Sequence, residues 1–256
     1  MEAKTKVRRI LSFVGVGLIV GLTVINWGWK KDINHTETID FKDKTFEVFT
    51  LGDMDKLVFG YLDSTGKPLR NFKNFKTFEK QQGHELIFAV NGGMFTKAFK
   101  PLGLYIDHGK SLQSIRLDSG YGNFYLKPNG VFGMDNGGVV FLEETTVFNR
   151  LHELDKISYA TQSGPLLVIK NKLHPALKKG SKNVHIRNGV GINKDGEIVF
   201  VISNQKTNFY DFATLFRDKL NCSNALYLDG AISKMYNAES NRNDDGAFGV
   251  MIGVIK

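Results

Sequence analysis

Runs of apolar residues that stop at short polar tips set the rhythm of this chain. The clearest is Ala225-Leu226-Tyr227-Leu228, which stops at Asp229-Gly230-Ala231-Ile232-Ser233. Three large apolar residues in succession do not suit a half-exposed strand with alternating faces; they suit one covered on both sides. The run predicts a buried strand delivering a carboxylate to its end, with Gly230 letting the chain turn away tightly. An Asp-Gly hairpin turn is the alternative reading of this segment alone. Strand-like runs recur at 45–51, 57–62, 86–90, 157–162, 166–169, 189–192 and 198–202, the last two joined at Asp195-Gly196. Between 101 and 142, glycines punctuate short apolar runs, as in strands joined by tight turns. Helical periodicity places Phe72, Phe75 and Phe78 on one side of 71–82. It places Phe209, Phe212, Ala213, Phe216 and Leu220 on one face of 209–220, capped by Asn208 or Thr207. A weaker helix is predicted over 145–154. No repeat, low-complexity tract or linker interrupts 44–256. The expected fold is α+β: a single compact domain with a mixed, strand-rich sheet and a few covering helices.

The N-terminus breaks this rhythm. Residues 10–29 carry no charge and lie between Lys4, Lys6, Arg8 and Arg9 on one side and Lys30 and Lys31 on the other. At about 1.5 Å per residue the span covers roughly 30 Å, the thickness of a bilayer core. Trp27 and Trp29 fall at the level of an aromatic belt, and the heavier positive flank puts the N-terminus in the cytoplasm. Residues 1–31 therefore read as a basic flank and an uncleaved transmembrane signal anchor. Residues 32–43 read as a tether, and 44–256 as a domain on the exported, periplasmic or extracellular side. A cleaved signal peptide is the alternative, against which stand the long apolar region and the missing small-x-small site. Anchor and tether are expected to be dispensable for folding, so that a chain starting near Asp40 folds.

Charge changes the picture in one respect. The chain has a net charge of +8, but residues 1–31 hold six Lys or Arg against Glu2, so five of those charges belong to the membrane flanks. The remaining +3 is too little to argue for a nucleic-acid partner. Cys222 is the only cysteine, which excludes an intrachain disulfide, and its apolar surroundings predict a buried structural thiol.

Familiar chemical motifs fail on spacing. Gly103 to Gly109-Lys110-Ser111 has five residues between its glycines where a phosphate loop needs four. Asn241-x-Asn243-x-Asp245-Gly246 imitates a calcium loop but has Ile252 where a bidentate Glu belongs, leaving only a looser cation site open. The histidines lack metal spacing, so neither a metal nor another cofactor is expected. There is no Gly-x-Ser-x-Gly elbow. What remains is the set of polar tips: Asn91-Gly92-Gly93, Ser163-Gly164, Arg187-Asn188 and Asp229-Gly230 with Ser233. Together they offer an amide, a hydroxyl, a guanidinium and a carboxylate, the ingredients of a cleft.

In their order, Phe88-Ala89-Val90-Asn91-Gly92-Gly93-Met94-Phe95, Ser163-Gly164-Pro165-Leu166-Leu167-Val168, Arg187-Asn188-Gly189-Val190-Gly191-Ile192 and Leu226-Tyr227-Leu228-Asp229-Gly230-x-x-Ser233 resemble the phosphodiester glycosidase family. Asn208-Phe209-Tyr210-Asp211-Phe212-Ala213 adds a resemblance to its bacterial branch. The likeness covers roughly 44–256. It departs from the eukaryotic branch at Ala231 and Ile232, where that branch carries glycines. The resemblance implies a compact α/β-type domain and hydrolysis of a sugar-1-phosphodiester at its glycosidic bond, with a sugar-phosphodiester or envelope glycan as partner. A phosphate monoester is a good leaving group, so the site needs positive charge for it and a carboxylate for the sugar. Arg187 and Asp229 are assigned those catalytic roles. Asn91, Gly92, Gly93, Ser163, Gly164, Gly230 and Ser233 are assigned to substrate binding. A membrane-anchored glycan-binding domain without turnover, and a phosphodiesterase cleaving the P–O bond, are the competing readings.

Overall fold

The computed structural model describes residues 34–229 and 232–256, which belong to the compact unit Asp32–Lys256. Residues 10–29, and the membrane anchor expected there, lie outside the described residues. Among those described, no helix is long and apolar enough to cross a membrane.

The chain opens with β1 (His35–Phe41), β2 (Lys44–Leu51), β3 (Leu57–Gly60), helix α1 (Phe72–Gln81) and β4 (Leu86–Asn91). A second group follows: β5 (Tyr105–Asp107), β6 (Lys110–Gln113), β7 (Gly130–Asp135), β8 (Val140–Glu144), α2 (Thr145–Leu151) and β9 (Ile157–Ser163). Next come β10 (Leu166–Ile169), β11 (Lys172–Leu173), β12 (Asn188–Asn193), β13 (Ile198–Ser203), α3 (Phe209–Asp218) and β14 (Cys222–Tyr227). The chain closes with β15 (Met235–Asn237), β16 (Arg242–Asn243) and β17 (Met251–Ile255).

These strands form three sheets, in the orders β1-β2-β13-β12-β14-β10-β11, β16-β15-β4-β17-β3 and β6-β5-β9-β7-β8. The strand-rich domain with few helices is thus present, but the one mixed sheet expected from the sequence is replaced by three sheets. Every pairing of named strands is antiparallel. Short hairpins suffice for antiparallel neighbours, whereas parallel ones need long crossovers.

Burial explains the apolar runs. Leu226 and Leu228 face the core enclosed by the three sheets, with Phe49, Phe88, Phe132 and Phe200. Tyr227 faces the other way, into the layer beneath α3 with Phe212 and Phe216. Phe49 from the first sheet and Phe88 from the second stack with their centroids 4.0 Å apart, so two sheets share that core. α1 begins where Asn71 accepts from the Asn74 amide at 2.8 Å, and it buries Phe72 and Phe75. α3 begins at Asn208, which accepts from the Asp211 amide at 2.8 Å. Cys222 is fully buried, and burial pushes its thiol up to about 12, which removes it from thiolate chemistry.

The tether expected over 32–43 is corrected by β1, which pairs with β2 from His35↔Thr50 to Phe41↔Lys44. Lys42 and Asp43 both have positive φ, 51° and 59°, as a two-residue hairpin turn requires. Ile39 and Phe41 pack against the layer beneath α3 while the remaining positions are largely polar, so an edge strand hides behind a weak apolar pattern. It covers the β2 edge, which would otherwise be open to pairing with another chain. A chain starting at residue 32 is therefore expected to be monodisperse. One starting at residue 44 should melt earlier and form larger species on size exclusion, and equal behaviour of the two would sink this role for β1.

His174 follows β11 and is 1% exposed. Its Nδ1 accepts from the Ala176 amide at 3.1 Å, so Nε2 carries the proton. Burial lowers its pKa from 6.5. A group with a depressed folded pKa binds fewer protons folded than unfolded, so its contribution to stability is complete above about 6.5 and is lost as pH falls through the lower folded value. The His174→Gln variant should show a flatter dependence of melting temperature on pH below 6.5 than the parent, measured by thermal denaturation across that range.

Candidate functional site

Strand ends of the first two sheets meet at Asp229, and the end of β9 from the third sheet comes against Gly93. Asn91 is the last residue of β4, Ser163 the last of β9, Asn188 the first of β12, and Asp229 lies two residues past β14. Asn91 Nδ2 donates to the Asp229 carbonyl at 2.8 Å, and the Asp229 amide donates to the Gly92 carbonyl at 3.0 Å. Asn188 Nδ2 donates to Asn91 O at 2.9 Å and to Asn91 Oδ1 at 3.1 Å. The Lys234 amide donates to the same Oδ1 at 2.8 Å, and the Ser233 hydroxyl donates to Asn188 Oδ1 at 3.1 Å. Asn91 and Asn188 are wholly buried, Ser233 is 7% exposed and Asp229 9%. The network therefore holds the Asp229 backbone from both sides.

Asn91 was expected to meet substrate with its amide. Instead that amide joins strand ends and positions Asp229. The Gly92 amide is likewise engaged, donating to Val250 O at 2.8 Å, so it is not one of the backbone donors expected for phosphate. Gly93 has a packing reason: a Cβ there would sit 2.3 Å from Thr161 Oγ1 and 2.7 Å from the Gln162 carbonyl. Gly164 is similar, with Asn129 Cβ at 2.6 Å and Phe124 O at 2.9 Å from such an atom. These two glycines bring the end of β9 against its neighbours. Ser163 is wholly buried there, and its Oγ has no hydrogen-bond partner among the described residues. Gly230 lies outside the described residues.

Arg187 departs most from expectation. An open guanidinium fork was expected; the side chain is wholly buried. Nε donates to Thr207 O at 2.8 Å, Nη1 to the Tyr227 hydroxyl at 3.1 Å, and Nη2 to Asn183 O at 2.9 Å and Asn183 Oδ1 at 3.1 Å. Its carbon Cζ stands 3.6 Å from the centre of the Phe209 ring. Burial lowers the guanidinium pKa, opposed by Tyr227, yet an arginine stays charged in such settings. Burial pushes Tyr227 up to about 12; Arg187 works against that rise and the Asp229 carboxylate adds to it. Tyr227 thus stays a protonated phenol that feels both the cation and the carboxylate. Asp229 follows it by two residues, just past the end of β14.

Sequence reasoning assigned no role at the site to Asn188, Tyr227, Asn183 or Thr207. The first two had a legible signal: Asn188 opens its strand beside Arg187, and Tyr227 precedes Asp229 by two residues. Asn183 and Thr207 had none, because their carbonyls meet Arg187 only through the folded chain. Among the described residues no group of three or more His, Cys, Asp or Glu side chains is placed to hold a metal ion.

The fold of three antiparallel sheets has counterparts among known proteins. The phosphodiester glycosidase family model matches residues 84–255, and the chain belongs to that family. The uncharacterized protein YigE of Escherichia coli (strain K12) is 45% identical over 150 residues, which is 58% of this chain and 57% of that protein. The match thus spans little more than half of that relative. The fold is similar to that of the zebrafish N-acetylglucosamine-1-phosphodiester alpha-N-acetylglucosaminidase catalytic domain auto-inhibited by pro-peptide, with a TM-score of 0.60 at 16% identity over 86% of this chain and 81% of that one. A hypothetical protein from Synechocystis is similar with a TM-score of 0.52 at 13% identity, over 86% of this chain and 61% of that one.

Two substitutions test this geometry. Asn91→Ala removes the side-chain partners of the Asp229 carbonyl and the Lys234 amide and one of the two acceptors of the Asn188 amide, at about 1–3 kcal/mol for each buried group left unsatisfied. A clear drop in the urea midpoint is expected. Arg187→Lys keeps the charge but loses the planar fork and the stack on Phe209. It should lower the melting temperature as well as any activity; an unchanged melting temperature would return Arg187 to a role in direct contact with substrate.

Proposed function

We propose that this domain hydrolyses the glycosidic bond of a sugar-1-phosphodiester, releasing the sugar and a phosphate monoester. The observation that carries the reading is the position of Asp229, held where two sheets meet by Asn91, Asn188 and Ser233 in a chain of the phosphodiester glycosidase family. Water adds at the anomeric carbon, the bond from that carbon to the phosphate oxygen breaks, and the phosphate leaves with the electron pair. The water proton passes to a base. Asp229 serves the sugar side, steadying positive charge at the anomeric carbon or activating the water.

Phosphate is already a weak base, so the leaving group needs little protonation and chiefly needs positive potential. Arg187 supplies part of it from beneath the surface, through the Tyr227 hydroxyl that it holds. Ser163 Oγ supplies a hydroxyl to a substrate oxygen. The location belongs to the same proposal: with residues 10–29 as a signal anchor, the domain works on the exported side on an envelope glycan.

Asp229→Asn keeps the shape and removes the charge. It should lower kcat on a sugar-1-phosphodiester by about a hundredfold or more, with substrate binding retained, as measured by turnover and by calorimetric titration. In labelled water the isotope is expected in the sugar. Label in the phosphate would replace this reading with P–O cleavage, and binding without turnover in either protein would make the domain a glycan-binding module.

A further inference from the structure

The charge of the domain is unevenly placed along the chain. From 157 to 194 there are seven Lys or Arg and no Asp or Glu, although residues 32–256 together have a net charge of only +3. The strand register sorts these cations into two groups. Lys170 and Lys172 lie at the β10–β11 turn, where the Asn171 amide donates to the Ser223 carbonyl, and Lys194 donates through its amide to the Asn221 carbonyl. Those hydrogen bonds are at the start of β14, the end remote from Asp229.

The segment 174–187 lies at the other end. It begins where the His174 amide donates to Leu167 O, and it finishes at Arg187, whose carbonyl accepts from Ser203 as β12 sets out beside the last residues of β14. It contains Lys178, Lys179 and Lys182, all exposed. Lys206, also exposed, is brought beside the last residues of this segment because His185 and Thr207 exchange backbone hydrogen bonds at 3.1 and 2.8 Å. Among the described residues, the ion pairs formed by Lys or Arg involve Lys42, Arg116, Lys156, Arg217 and Arg242, and none of these four lysines. The segment is also tied to the site, since Asn183 takes two bonds from Arg187, which in turn holds Tyr227.

Four like charges on two connections at one end of a sheet, with no acid in either, set up a positive potential that favours an anion there. Resting on the reaction read above, we propose that the substrate is part of a linear anionic phosphodiester polymer, and that Lys178, Lys179, Lys182 and Lys206 form the rim that receives its phosphates beyond the reacting one. The buried Arg187 then acts as a positioning residue for this rim, fastening Asn183 and Thr207.

Long-chain inorganic polyphosphate is the probe for the full chain. It should bind and should inhibit turnover of a small sugar-1-phosphodiester competitively. In the K178Q/K179Q/K182Q/K206Q variant its affinity should fall by about tenfold or more. The slope of log affinity against log salt should flatten by roughly 3, at about 0.7 for each phosphate no longer neutralised on a single-stranded polyanion. The K170Q/K172Q/K194Q variant, altered at the remote end, should bind as the parent does. Equal weakening in both variants, or none in either, overturns the proposal. So does rim-dependent binding to phosphatidylglycerol vesicles that polyphosphate does not displace, which would make the rim a membrane-binding surface. Turnover of the small substrate judges the reaction separately: the rim variant should retain it. Its absence in the parent would sink the reaction while the polyphosphate titration still judges the rim.

Discussion

Asp229 stands where it does because a buried carbonyl at the end of a strand must have a partner. Apolar burial supplies most of the drive to bring three sheets together, but it is non-directional and tolerates sliding. Hydrogen bonds are not, and an unsatisfied carbonyl in the interior costs about 1–3 kcal/mol. The Asn91 side chain crosses from the second sheet to the Asp229 carbonyl on the first, and Asn188 locks Asn91 in turn. With Ser233 and the Lys234 amide closing the remaining acceptors, only one relative placement of β4, β12 and the end of β14 satisfies every group. A carboxylate on such a frame is pre-positioned, and that is worth more to a hydrolase than one on a mobile loop.

Arg187 follows a similar logic with a charge added. A buried cation is tolerated only if its donors are met, and here carbonyl, amide and phenol oxygens meet them while Phe209 covers the planar face. A lysine has no fork with which to reach Thr207, Tyr227 and Asn183 together. The arginine therefore has a structural and an electrostatic role at once: it anchors the segment entering β12 and places positive potential behind Tyr227. It is the junction between the frame that holds the carboxylate and the lysine-bearing rim outside it.

The antiparallel topology explains why the two ends of the central sheet differ. The tight turn from Asn193 to Glu197 lies at one end, and the Lys42-Asp43 hairpin at the opposite one, where Phe46 pairs with Ser203. The longer connections 174–187 and 204–208 gather at that opposite end, where chain without regular structure can carry side chains of many kinds. Chemistry therefore collects at the end with the long connections.

Strands β2–β4, β9, β10 and β12–β14, both longer helices, the Asn208 cap, the Asp195-Gly196 hairpin and the motif order of the family were legible in the sequence, whereas β15, β16 and β17 were not among the strands expected. Each legible feature rests on a local rule, of side-chain period, capping or turn geometry, that a segment obeys by itself. Strand β1 was not legible, because its only apolar residues, Ile39 and Phe41, are half-buried and its other positions are as polar as a linker. Nor were the roles of the site residues. Asn91 and Arg187 carry the same side chains whether they face substrate or lie inside the fold. The choice depends on partners 138 residues away for Asn91 and 20 and 40 residues away for Arg187. The sequence determined that an amide, a guanidinium, a hydroxyl and a carboxylate would sit at strand ends. The packing of three sheets decided that the amide and the guanidinium would be buried to hold the carboxylate, because only a folded chain sets which polar groups lose water and must find each other.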